Sequence, residues 1–88
     1  MQIVSDFEVY ADGSGALMQI AHPACGLMGF NYVKGEARCV GIRPAKCFGN
    51  RAVGMRNSAI KKLTAEFKSR VDALPADWHK AHAEMYEI

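Results

Sequence analysis

The chain reads as α+β, with a four-stranded antiparallel meander over about residues 3–43 followed by two or three helices packed on one face. Three observations predict this. In the first half apolar residues alternate with polar ones, the period of 2 that lines one face of a strand. Glycine-bearing turn sequences, Asp12-Gly13-Ser14-Gly15 and Lys34-Gly35, divide that half at hairpin intervals. From Ser58 to Leu74 the apolar period lengthens to that of an α-helix.

Ile3–Ala11 alternates with Ile3, Phe7 and Val9 on one side and Asp6, Glu8 and Tyr10 on the other, a half-buried strand. The Asp12–Gly15 turn returns the chain through Ala16–His22, and Pro23, which cannot donate to a ladder, ends that strand. Leu27–Val33 and Glu36–Arg43 form a second hairpin. A two-residue loop at Lys34-Gly35 sets Tyr32 opposite Ala37 and Phe30 opposite Cys39, large against small, on the face that helices cover. Asn31, Arg38 and Glu36 belong to the wetter face.

Pro44–Arg56 has helical spacing at Ala45, Phe48, Ala52 and Met55, running on to Ala59. Gly49-Asn50 and Gly54 interrupt it, each glycine costing about 1 kcal/mol against alanine in a helix. The expectation is a short helix or turn followed by a break. The next helix then starts at Asn57 or Ser58, either of which can cap it, and stops at Pro75, which lacks an N–H. Its dry stripe is Ile60, Leu63, Phe67, Val71 and Leu74, and its other side carries Lys61, Lys62, Lys68, Ser69 and Asp72. Asp77 is expected to cap a last short helix that turns Trp78, His82 (or Ala81), Met85 and Tyr86 inward. The predicted core is Phe7, Met18, Ile20, Phe30, Ile60, Leu63, Phe67 and Val71.

Eighty-eight residues fit one domain, residues 1–88, with half of them apolar and 23% charged, as in ordinary globular proteins. The longest apolar runs fall well short of the ~20 residues that span a bilayer, so no membrane partner is expected. The N-terminal MQIVSDFEV lacks the basic start and apolar stretch of a signal peptide. Cys25, Cys39 and Cys47 are an odd number without a disulfide framework, which fits reduced thiols in a cytoplasm.

Charge is strongly segregated. Residues 1–33 carry Asp6, Glu8 and Asp12 and no base. Residues 34–70 hold ten of the eleven Lys and Arg residues against Glu36 and Glu66. Residues 71–88 hold Lys80 against Asp72, Asp77, Glu84 and Glu87. Such a block either attracts an anionic partner or is neutralised by the chain's own acidic ends.

The competing motifs are weaker. Gly49–Ser58 has the glycine spacing of a phosphate-binding loop but lacks the lysine and the hydroxyl residue that follow the second glycine there. A reduced form of that reading keeps backbone N–H groups at a helix N-terminus, with Arg51 and Arg56 beside them, for a phosphodiester oxygen. His22-Pro-Ala-Cys25 and His79-Lys-Ala-His82 have ligand-like local spacing, yet no paired CxxC accompanies them, so no metal is expected. No local signature places a nucleophile beside a base, and neither catalysis nor a cofactor is expected. A helix opening with basic residues after a run of strands is similar to the second half of double-stranded-RNA-binding domains. Their first helix has no counterpart here and no motif matches residue by residue, so nothing is carried over.

The expected function is therefore a small, non-enzymatic binding module with a basic face. Its binding residues are Lys46, Arg51, Arg56, Lys61, Lys62, Lys68 and Arg70, with Arg38 and Arg43 as accessories. The expected partner is nucleic acid, gripped through its phosphates. The alternative is a phage- or mobile-element-type inhibitor or adaptor, anti-CRISPR-like, that binds a host nucleic-acid-handling complex through an acidic or nucleic-acid-binding protein surface.

Overall fold

The computed structural model describes residues 4–22, 26–43 and 50–88, with side chains described at 6–22, 26–42 and 57–88. Four strands, β1 (Val4–Val9), β2 (Ala16–His22), β3 (Gly26–Val33) and β4 (Glu36–Arg43), precede two helices, α1 (Asn50–Asp72) and α2 (Ala76–Tyr86). The strands form one antiparallel sheet in the order β1-β2-β3-β4. This is the α+β meander that the alternation and the turn sequences predict. The strand end expected at Pro23 lies outside the described residues.

Turn chemistry sets the register. The Asp12 carboxylate accepts the Ser14 N–H at 2.9 Å, and Gly13 adopts φ +87°, which glycine reaches without strain. A Cβ on Gly13 would also lie 2.8 Å from the Ala81 Cβ, so the turn needs glycine to approach α2. At the second hairpin Lys34 and Gly35 both have positive φ, 56° and 75°, the signature of a two-residue type I′ turn. Tyr32 then pairs with Ala37 and Phe30 with Cys39, as the loop length requires. Beyond Cys39 the register shifts by one residue, with Val40 bulged and pairing resumed at Gly29 and Gly41.

Period-2 alternation divides the sheet into two faces. Ala16, Met18, Ile20, Met28, Phe30 and Tyr32 point to the covered face and are buried with Leu63, Phe67 and Val71 of α1 and Trp78 of α2. Phe67 is fully buried, its ring meeting Phe7 edge-on at 5.9 Å and Phe30 at 6.2 Å. Of the predicted core, Phe7 and Ile60 are only partly buried. The other face, bearing Asp6, Glu8, Gln19, Leu27, Gly29, Asn31 and Arg38, has no helix on it among the described residues.

The helices differ from expectation in three respects. No break separates residues 50–56 from the rest: Asn50–Asp72 is one 23-residue helix. Asn57 and Ser58, expected as the N-cap, sit about two turns inside it. The cost of Gly54, about 1 kcal/mol, is small beside a continuous hydrogen-bonded helix in which Arg, Ala and Met surround it. The second difference is the α2 cap, which is Pro75 with no side-chain bond. The Pro75 carbonyl accepts from Trp78 N–H (3.1 Å) and His79 N–H (3.3 Å), while Asp77 lies in the first turn and accepts the Trp78 N–H at 3.1 Å. Third, Met85 is 48% exposed, because the inward stripe of α2 runs through Trp78, His82 and Tyr86 and turns residue 85 aside.

Candidate functional site

The lysines of α1 follow from its wheel. With Leu63, Phe67 and Val71 buried, positions 61, 62 and 68 fall on the solvent side, and Lys61, Lys62 and Lys68 are all exposed. Lys61 and Lys68 are seven residues apart, stacked about 10.5 Å along the axis. Among the described residues none of these lysines has an ion-pair partner. Two acids share the helix surface: Glu66 follows Lys62 by one turn, and Asp72 follows Lys68 by one turn.

Among the described residues, the predicted Arg70 and Arg38 do not join this set. Arg70 is half-buried at the edge of α1, pairs with Glu66 at 3.4 Å and lies 6.0 Å from the centre of the Phe7 ring. Its charge is already engaged. Arg38 pairs with Glu36 on the uncovered face of the sheet, opposite Asn31 and on the far side of the sheet from α1. A single continuous basic face that includes Arg38 therefore does not form. Lys46, and the side chains of Arg43, Arg51 and Arg56, lie outside the described residues. The stretch from Asn50 to Ser58 is helix, so the phosphate-loop reading loses its loop from Asn50 onward.

Among the described residues, α2 holds the most tightly organised polar group. Trp78, His82 and Tyr86 lie on one stripe, one turn apart, and each donates to a backbone carbonyl of the first hairpin loop. Trp78 Nε1–H reaches the Tyr10 carbonyl at 2.8 Å, His82 Nδ1 the Gly13 carbonyl at 2.7 Å, and Tyr86 O–H the Ser14 carbonyl at 2.7 Å. His82 Nε2 accepts the Gly35 N–H of the second turn at 3.1 Å, which fixes the tautomer with the proton on Nδ1. The ring is 2% exposed, stacked on Trp78 at 5.1 Å and 9°, with Tyr32 at 4.9 Å and Tyr86 at 4.9 Å. Burial, then the charge of Asp72, raises the Tyr32 phenol above its ordinary value and keeps it protonated.

This arrangement is architectural. Both nitrogens of His82 are occupied, so the His79–His82 spacing does not make a ligand pair, and His79 instead packs edge-on against Trp78 at 5.2 Å. Cys39 is a free thiol, and Cys25 and Cys47 lie outside the described residues. Among the described residues no three of His, Cys, Asp and Glu gather as metal ligands.

On the uncovered face a shallow groove of about 240 Å³ runs between Asp6, Glu8, Leu17, Gln19, Gly29 and Val40. A second dip of about 290 Å³ continues it across Gly29 and Gly41 towards Leu27. The sequence indicates the two acids and the glycines but not the groove, which exists because the Gly29–Gly41 pair leaves no side chain on its floor. No helix among the described residues is long and apolar enough to cross a membrane. Compared with known protein families, curated proteins and solved structures, the chain matches none.

Proposed function

We propose that the chain is a small, non-enzymatic binding module of the cytoplasm whose α1 lysines engage the phosphates of a nucleic acid. One observation carries the reading: Lys61, Lys62 and Lys68 stand exposed on the helix and unpaired among the described residues. Ammonium groups so placed contact phosphodiester oxygens without burying any charge, and they read no base edge. Binding is accordingly indifferent to sequence and sensitive to salt. The predicted accessory Arg38 has no part in it, since it lies across the sheet and is bound to Glu36.

The test is fluorescence anisotropy of labelled single- and double-stranded DNA and RNA against salt concentration. Replacing Lys61, Lys62 and Lys68 together with alanine should weaken binding evenly across sequences and reduce the salt slope by up to about three on duplex DNA. Equal affinity and slope in the parent and the triple variant would refute the reading. A second reading has its own observation: Glu66 and Asp72 interleave with the lysines, a mixed-sign pattern that suits a protein surface better than a bare duplex. In that case the module is an inhibitor or adaptor of a host nucleic-acid-handling complex. The parent would then bind free nucleic acid weakly, and the triple variant would lose a protein partner instead.

A further inference from the structure

We propose that the uncovered face of the sheet is the interface of a symmetric homodimer, two copies packing sheet to sheet about a two-fold axis parallel to the strands. A symmetric interface needs a surface complementary to itself. Such an axis exchanges the edges of the sheet, so that β1 of one copy lies over β4 of the other and β2 over β3. Each register row then meets its own reverse.

Each row on this face sets one complementary pair under that operation. One row runs Glu8, Leu17, Asn31, Arg38, which sets Glu8 of each copy over Arg38 of the other. The next runs Asp6, Gln19, Gly29, Gly41, which sets Gln19 over the bare backbone of Gly29. In the third, Ala21 faces Leu27, small against large. The alternative axis, perpendicular to the strands, would lay β1 over β1 and, passing near Phe7, bring Asp6 of each copy against Glu8 of the other. Like-charge repulsion disfavours it.

The glycines supply the independent observation. Gly29 and Gly41 do not have positive φ. A Cβ on Gly29 would meet only the Gly41 carbonyl and the Val40 Cγ2, both at 3.9 Å, and one on Gly41 would meet nothing within 4 Å. A Cβ finds room at both positions, so packing within one copy does not require glycine there, and the bulge at Val40, which they flank, is their one use inside a single copy. A side chain from a second copy seated in the groove gives the bare backbone a second use. Val40, 58% exposed on its bulge, forms one wall of that groove.

The flat area available is modest. Four strands about 4.8 Å apart and six residues long at about 3.4 Å each present roughly 400 Å² per copy. Standard interfaces bury about 800 Å² per partner, so this dimer is weak and forms with rising concentration. The Glu36–Arg38 pair opposes it little, since exposed ion pairs contribute only about 0–1 kcal/mol.

Sedimentation velocity on the full chain from about 10 μM to about 1 mM, a range suited to a weak complex, tests the proposal. The parent should pass from monomer to dimer across it. Gly29→Val puts a side chain into the groove whose Cβ makes only ordinary contacts inside one copy, so it should melt close to the parent temperature while raising the dissociation constant at least about tenfold. Glu8→Arg and Arg38→Glu should each weaken the dimer by about tenfold, and the double exchange should restore it to within about threefold. The lysine triple variant should dimerise like the parent, which separates this proposal from the function of α1. A parent that stays monomeric throughout, a dimer indifferent to Gly29→Val, or charge exchange without rescue would each overturn it.

Discussion

Truncating His82 to alanine removes the one side chain among the described residues that bonds both hairpin turns. The Gly13 carbonyl loses its donor and the Gly35 amide its acceptor, over the 2.7 and 3.1 Å contacts. A polar group left buried without a partner costs about 1–3 kcal/mol, and the lost stacking on Trp78 adds about 0.5–1.5 kcal/mol. The terms together span about 2.5–7.5 kcal/mol. Because the Gly35 amide is only partly buried, the expected loss is in the lower half, about 3–5 kcal/mol, a large part of the roughly 4–13 kcal/mol typical of a domain this size. At about 4–8 °C per kcal/mol, the melting temperature should fall by about 12 °C or more. Urea melts followed by circular dichroism measure the free energy directly. His82→Gln keeps one donor and one acceptor and should recover part of the loss. The reasoning fails if His82→Ala melts within about 0.5 kcal/mol of the parent, the range of ordinary surface substitutions. Equal losses in the alanine and glutamine variants would instead assign the stability to ring packing alone.

Phe67→Ala should cost about 3–5 kcal/mol in the same melts, since the ring is fully buried between Phe7 and Phe30. Gly13→Ala should destabilise by about 1–3 kcal/mol, its positive φ and the 2.8 Å approach to Ala81 acting together, whereas Gly41→Val should leave the melt unchanged or raise it. Hydrogen bonding to Ser14 lowers the Asp12 carboxyl below its ordinary value, so the turn is favoured above the usual carboxylate range and loosens as pH falls through the folded value. An NMR titration should place the Asp12 midpoint below that of a model peptide, and a midpoint at or above it would remove the turn bond from the account. The lysine triple variant should unfold within about 0.5 kcal/mol of the parent, because lysine and alanine are both good helix formers at exposed positions.

The strands were legible because their turns carry identity in their side chains. Lys34-Gly35 permits one loop length, and that length fixes which residue faces which. The bulge at Val40 was not legible, since one extra residue in a strand leaves no mark beyond the glycine that follows it. In α1 the apolar stripe placed the lysines correctly on the solvent side. Gly54, Asn57 and Ser58 were misleading, because residues that favour helix ends are also tolerated inside when the helix continues on both sides. Parity already put Arg38 on the face opposite Ala37, so its separation from Lys61 could have been read from the alternation alone. The α2 bonds were hidden for a different reason. Their acceptors are carbonyls of Tyr10, Gly13 and Ser14, and a backbone carbonyl has no sequence signature. The available hint was three N–H or O–H bearing rings spaced four apart, at positions 78, 82 and 86.

The reach of α2 also sets an order of events. In a meander every strand pairs with its immediate neighbour, so the hairpins involve short loops and can close early as the chain is made. The bonds from Trp78, His82 and Tyr86 span 68, 69 and 72 residues, and that from Gly35 to His82 spans 47. Contacts so distant in sequence are slow to form, because the loop entropy is lost before the contact exists. While the chain is still growing, the covered face of the sheet has neither α1 nor α2 to shield Met18, Phe30 and Tyr32. The native state is therefore locked by Trp78, His82 and Tyr86, and a chain stopped before Trp78 should give open hairpins prone to pair with one another at their free edges.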